Sequence, residues 1–288
     1  MLMQDPRIIL VAETGGDIPR EVAEQYNIQL VPMHVAFGTD TRDDGTFPSE
    51  EVCDFYDRTG ILCKTSGSVP EDFTKCFDHI HTRWPQAQIL YLAYSSVTTC
   101  SYQSAQIAAE DRDYVTALDT KAVSAGQYSI VIETAKWLEA HPEATIQEAA
   151  QVAQDLISRA NMCFVPKDME YLRAGGRVSN VVALGGKLLG ILPLIEILEG
   201  KLVATRKLRG KLEALAPKLV REYAEKWSLD RKELWLIWTP RFPDDLKQVV
   251  EKTAKDLGFE TVTWVKSGGV ITSHSGPSAF GVVGFTKA

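Results

Sequence analysis

Two pairs of hydroxyl side chains, Thr65-Ser66 and Ser95-Ser96, each stand just before a segment with helical spacing. A histidine, His274, is followed by the turn Ser275-Gly276-Pro277. Hydroxyls and an imidazole N–H can donate to a carboxylate or phosphate, and free N–H groups at a helix start attract anions by themselves. A second signal is the stretch from Tyr171 to Lys211, with eight Lys or Arg, two Glu and no Asp in a chain of net charge −7. Five of these cations, Lys201, Arg206, Lys207, Arg209 and Lys211, fall within eleven positions, and the apolar run Val181 to Leu198 precedes most of them. Positive charge beside apolar surface suits a ligand with an anionic head and an apolar body. The same residues also fit a blander reading. Lone hydroxyls at helix starts are usually plain caps, and a basic run is often a solvated edge.

The elements that must carry these groups can be read from periodicity. Arg7 to Glu13 is a β-branched run closed by Thr14-Gly15-Gly16-Asp17, and Asp17 with Pro19 reads as a helix start. Ile28 to Phe37 is a second apolar run, and Ser49 can cap a helix through Tyr56. Ser68 and Glu71 have the capping-box spacing around Pro70, followed by Phe73, Cys76, Phe77 and Ile80 at helical intervals. Gln88 to Tyr94 and Tyr114 to Leu118 read as strands, each followed by a helix (Thr98 to Glu110, then about Val123 to Glu139). Thr145 and Glu148 box the start of one more helix. Alternating strands and helices predict a parallel α/β sheet, whose ligands bind outside the carboxyl ends of the strands. Thr14 to Asp17, Ser95-Ser96 and Asp119-Thr120 are expected at such ends, with Thr65-Ser66 beside them.

After about residue 160 the rhythm changes. Asp168 to Arg173 reads as a short helix ended by Gly175-Gly176, and Leu194 to Leu198 with Lys201 to Thr205 as a hairpin. Helices are expected from Lys211 to Trp227 and Pro243 to Leu257, and strands over Glu233 to Trp238, Thr261 to Val265, Val270 to His274 and Phe280 to Phe285. The mixture predicts an α+β second domain on a mixed sheet. Domains of residues 1–159 and 160–288 follow, with His274 ending a strand at the sheet's rim.

A chain of 288 residues with 45% hydrophobic residues can bury large cores. Its acidic balance argues against nucleic acid as a partner. No segment reaches the roughly 20 uninterrupted apolar residues of a membrane span, and the N-terminus lacks a signal pattern. Five cysteines without a C-x-x-C pair fit reduced thiols, so the expected location is cytoplasmic. The turn after strand 1 is not G-x-G-x-x-G, Gly186-Lys187 lacks the upstream glycine of a phosphate loop, and no G-x-S-x-G elbow occurs. His79 and His81, two apart on a helix, do not share a face for a metal. No metal or cofactor is expected. An esterase or phosphotransferase using His274 as base and Ser96 or Thr65 as nucleophile is an alternative, but it lacks an assignable Asp orienter.

The ordered set of motifs resembles the DegV family of bacterial fatty-acid-binding proteins. It comprises Ala12-Glu13-Thr14-Gly15-Gly16-Asp17, Thr65-Ser66, Ser95-Ser96 with Tyr102-Gln103-Ser104-Ala105, and Asp119-Thr120. It continues with Tyr171-Leu172, Gly175-Gly176-Arg177, Leu188-Leu189, Pro193, Lys207-Leu208-Arg209 and His274-Ser275-Gly276-Pro277, nearly end to end. The resemblance implies a two-domain fold, an N-terminal three-layer α/β/α unit with a parallel sheet and a C-terminal α+β unit with a mixed sheet. It implies one fatty acid, with its carboxylate at the interdomain cleft and its chain in an apolar tunnel, and a separate kinase subunit that makes an acyl phosphate for phospholipid synthesis. Thr65, Ser66, Ser95, Ser96 and His274 would bind the carboxylate. Arg177 and Arg209 would take cleft positions facing the phosphate or the kinase. The chain departs from the family pattern at Glu13-Thr14 (usually Asp-Ser), at Thr98 to Ser101 (usually Leu-Ser-Gly-Thr), at Leu192 (commonly Lys) and at Ser278 (usually Gly).

Overall fold

In the first half of the chain, a computed structural model that describes residues 6–167, 169–178 and 191–287 gives strands and α-helices in the order β1 (Ile8–Glu13), α1 (Arg20–Gln25), β2 (Gln29–Val31), β3 (His34–Phe37), β4 (Asp40–Asp43), α2 (Glu50–Thr59), β5 (Lys64–Ser66), α3 (Pro70–Arg83), β6 (Gln88–Ala93), α4 (Ser101–Ala108), β7 (Val115–Asp119), α5 (Ala125–Ala140) and α6 (Ile146–Arg159). Strands β2-β1-β6-β7 form a parallel sheet. Successive strand residues point to opposite faces, and both faces of this sheet are covered. Ile9, Val11, Ile89 and Tyr91 pack with Phe73 and Phe77 of α3, while Leu10, Ala12, Leu90 and Leu92 join the core that holds Ile130 of α5. That double burial is why β1 and β6 read as continuous apolar runs.

The second half continues with β8 (Ala160–Val165), α7 (Met169–Gly175), β9 (Ile191–Leu198), β10 (Lys201–Arg209), α8 (Leu212–Lys226), β11 (Glu233–Trp238), α9 (Asp244–Asp256), β12 (Thr261–Lys266), α10 (Gly269–Ser275) and β13 (Phe280–Phe285). Its six strands run in the order β10-β9-β8-β13-β11-β12, antiparallel except for the β11–β12 pair. One face, with Leu234, Leu236 and Val282, buries α8 and α9. The other, with Trp235, Ile237 and Val283, joins the core of the first half. Helix α5 lies against both sheets, touching β1 and β6 as well as β8, β11 and β13. Eight consecutive residues of it, Ala125 to Ile132, are buried. A helix buried over two successive turns is one enclosed on every side.

Five sequence expectations change in the structure. The run Ile28 to Phe37 is broken at Pro32, which has no N–H for a ladder; β2 joins the parallel sheet and β3 the small antiparallel sheet β4-β3-β5. The box at α3 shifts by one residue, with Asp72 accepting from the Val69 N–H at 2.8 Å while Ser68 Oγ donates to Pro32 O at 2.7 Å. The helix expected from Thr98 begins only at Ser101. Strand β10 runs on to Arg209. Val270 to His274 is helix α10 rather than a strand, because two carboxylates cap its N–H groups. By contrast, the Thr145–Glu148 box forms as its spacing requires, with Glu148 accepting the Thr145 N–H at 2.8 Å. Among the described residues no helix is long and apolar enough to cross a membrane.

Close packing where β13 meets its neighbours yields a test. A Cβ on Gly281 would stand 2.6 Å from Ile237 Cγ2 and 2.7 Å from the Cys163 carbonyl oxygen. Gly281→Ala is expected to destabilise the fold by about 2 kcal/mol, read by urea denaturation.

Candidate functional site

A cavity with about 870 Å³ of atom-free space, its open end included, lies where the two halves meet. Helix α10, β5, β8 and β11 contribute to its wall, as does Val123-Ser124 just before α5. Buried side chains such as Met33, Tyr94, Leu172 and Val270 line its depth, whereas the exposed lining residues are Ser66 and Arg177. The end open to solvent is therefore the polar one. Its predominantly apolar wall with a few polar groups is that of a small-molecule site.

At the polar end Thr65 Oγ1 lies 2.8 Å from His274 Nε2. Thr65 is held by the β5 ladder opposite Val35. His274 sits in the last turn of α10, and its Nδ1 is buried without a partner. That edge of the ring lies against Gly175, where an added Cβ would fall 2.3 Å from Nδ1. Only a glycine at position 175 leaves room for the imidazole in this pose. Burial, and then the positive charge of Arg177, pushes the His274 pKa down to about 4, so the ring is neutral at pH 7. Arg177 is exposed and donates to the Gly175 carbonyl at 2.7 Å.

The other half of the molecule anchors α10. Asp17 Oδ1 accepts from Gly268 N at 2.6 Å and Asp44 Oδ1 from Gly269 N at 2.8 Å. Both carboxylates are buried. Burial drives the Asp17 carboxyl well above its usual range, against the hydrogen bonds from Ser124 and Gly268. Burial likewise raises Asp44, against its backbone N–H bonds. Glu13, at the end of β1, is fully buried and accepts from Tyr91 Oη at 2.5 Å, Tyr94 N at 3.0 Å and Gln127 Nε2 at 2.7 Å. It fixes the backbone of Tyr94, whose ring lines the cavity.

Of the residues singled out in the sequence, the structure brings Thr65, Ser66, Arg177 and His274 to this cavity. Ser95, Ser96 and Arg209 lie elsewhere. Ser95 Oγ donates to the Gly200 carbonyl at 2.8 Å, and Ser96 Oγ to Asp119 Oδ2 at 2.5 Å. The crevice outside β6 and β7 is occupied by the β9–β10 turn, which Lys121 also ties down through Glu199 at 2.8 Å. Arg209 is exposed on β10, seven residues and thus roughly 23 Å of strand beyond Leu202, the β10 residue that lines the cavity. The basic cluster belongs to this outer edge, where Arg206 pairs with Glu222 at 2.6 Å. Leu192 lies in β9 opposite Leu208, against the core under α8. Ser278 has φ +57°, the left-handed region that favours glycine, and its Oγ donates to the Arg241 carbonyl at 2.8 Å. Leu188-Leu189 lie outside the described residues. Sequence reading missed Met33, Tyr94 and Ser124 on the cavity wall, and Asp44, which caps α10, because none carries a local signal of its place.

Fold and site together define a mixed α/β protein built around one cavity with a polar opening. A profile described as "Uncharacterised protein, DegV family" matches residues 7–287. The chain belongs to the DegV family. It is similar to the fatty acid-binding protein of Thermotoga maritima, at 28% identity over 97% of this chain and 96% of the relative. Its fold is that of a fatty acid-binding DegV family protein from Thermus thermophilus (TM-score 0.87, 24% identity, 98% of this chain and 100% of the other). A DegV family protein from Eubacterium eligens, solved loaded with heptadecanoic acid, also shares the fold (TM-score 0.82, 18% identity, 97% and 100% covered).

The pKa of His274 yields a measurable pH dependence. The folded value of about 4 lies below the roughly 6.5 of an unfolded histidine, so the folded state binds fewer protons between them. The stabilising contribution of neutral His274 is complete above pH 6.5 or so and is lost as the pH falls toward 4. Glu13, Asp17 and Asp44, with raised folded values, act in the opposite sense, so the histidine is isolated by comparison with His274→Gln. Between pH 7 and 4.5 the parent protein is expected to lose about 2 kcal/mol more than the variant, measured by denaturant titration at each pH.

Proposed function

We propose that this protein binds a single long-chain fatty acid, with its carboxylate at Thr65, Ser66 and His274 and its chain in the apolar cavity between two domains, residues 1–159 and 160–288. The observation that carries this reading is the Thr65–His274 pair at 2.8 Å, at the solvent end of a cavity that is otherwise mostly apolar. A carboxylate only accepts hydrogen bonds. Thr65 therefore donates to it, His274 Nε2 donates to Thr65, and Nδ1 keeps its lone pair toward Gly175. Arg177 adds positive charge at the opening. Burying an acyl chain of some sixteen carbons contributes roughly 0.8 kcal/mol per CH₂, on the order of 10 kcal/mol before the cost of association. The fatty acid binding named for relatives supports the same reading.

In this reading the carboxylate faces the open end, which suits delivery to a partner. The protein presents the acid to a separate cytoplasmic kinase that forms an acyl phosphate for phospholipid synthesis. Arg177 then serves the phosphate, and Arg209, exposed and remote from the cavity, serves the kinase surface. A Thr–His esterase is favoured by the same 2.8 Å distance. Against it, the orienting nitrogen of His274 meets Gly175 rather than a carboxylate, and a pKa of about 4 makes a weak base at pH 7.

Protein purified from a bacterial host is expected to release a long-chain fatty acid on denaturation, detected by mass spectrometry; protein free of any acyl species would refute the binding reading. Thr65→Val and Gly175→Ala, which remove the donor or displace the ring, are expected to weaken fatty acid binding by roughly tenfold. Incubated with ATP, the loaded protein yields acyl phosphate only when a fatty acid kinase subunit is added. Ester hydrolysis by the protein alone, lost in His274→Ala, would favour the esterase.

A further inference from the structure

Two methionines on the cavity wall, Met33 and Met162, each rest a thioether on a glycine. A Cβ built on Gly15 would stand 2.6 Å from Met33 Sδ, and one built on Gly126 would stand 3.1 Å from Met162 Sδ. Neither glycine has a left-handed φ, so backbone conformation does not account for either. Gly126 lies in the first turn of α5, where its helical backbone does not call for glycine. What the two positions share is the space they leave for a sulfur.

The backbones behind these side chains are fixed. Met33 N–H donates to Thr14 Oγ1 at 3.0 Å, and its carbonyl accepts from Asp44 N at 2.8 Å. Met162 is paired with Val283 in the six-stranded sheet. Only the side chains can adjust. Val123, Ile237 and Val270 on the same wall are β-branched and stiff at χ1, whereas methionine has three rotatable bonds and fills irregular space. Among the described apolar residues of the wall the two methionines are the most deformable, and each is backed by a notch.

We propose that Met33 and Met162 are the residues that determine acyl-chain specificity. Their thioethers move in their glycine notches to accept either a straight saturated chain or a cis-bent chain of the same length. This rests on the fatty acid reading above and adds the shape of the ligand to it. A methyl group at position 15 or 126 closes the notch, holds the sulfur in the cavity and selects against the bent chain.

The test is competition between stearic and oleic acids, equal in length and different in bend, for the parent protein, Gly15→Ala and Gly126→Ala. Bound acids are extracted and quantified, and thermal unfolding is followed in parallel. The parent is expected to take both within about threefold. Each alanine variant is expected to lower the oleic-to-stearic ratio by roughly tenfold, and Gly126→Ala to keep its melting temperature. Unchanged ratios in both variants would overturn the proposal, as would a parent that already rejects one acid by roughly a hundredfold. Should either alanine variant fail to fold, Met33→Leu and Met162→Leu, near in volume but stiffer, decide: a shifted ratio supports the proposal and an unchanged one overturns it. A parent that binds neither acid refutes the fatty acid reading itself.

Discussion

The cavity depends on how one short helix is held. Helix α10 carries Val270, Ile271 and His274 into the wall, and its first N–H groups are capped by Asp17 and Asp44, 251 and 225 residues away in sequence. Charge-assisted bonds of this kind are stronger than neutral ones, and negative charge is favoured at a helix start. The same contacts cost desolvation, which is why both carboxyls are shifted upward. The two halves of the chain are thus joined by buried hydrogen bonds to carboxyl groups as well as by apolar packing. The position of His274 is set by residues of the first half.

A second consequence is electrostatic. The depth of the cavity has an apolar lining, its polar end holds the neutral imidazole of His274, and its cation, Arg177, is exposed at the opening. An anion inside would find donors without a buried full charge beside it, and such a charge would be costly to desolvate. Burial, and then the positive field at the rim, lowers the His274 pKa, and the same field would favour a negative head group. Such an arrangement would favour an amphiphile held with its polar end outward.

Much of the frame was legible beforehand. Strands β11 and β13 have the bounds that their apolar runs suggest, and the Thr145–Glu148 box forms as its spacing requires. The polar turns after β1, β6 and β7 do stand at carboxyl ends of the parallel sheet. Reading failed where a local pattern had two solutions. Val270-Ile271-Thr272 looks like a strand until Asp17 and Asp44 cap it as a helix. At Ser95-Ser96 the local pattern could not show that Ser95 Oγ meets the Gly200 carbonyl of the β9–β10 turn.

By itself the sequence determined the alternation of strands and helices, the change of rhythm near residue 160, and the presence of donors, cations and apolar runs. Those are properties of near neighbours, set by the periods of strand and helix and by the chemistry of caps. Tertiary structure alone decided that Thr65 and His274 meet, that Arg177 joins them while Arg209 does not, and that Met33 and Met162 share a wall. Such meetings bring together residues far apart in the chain, and their geometry comes from two sheets closing on α5, which no local pattern encodes.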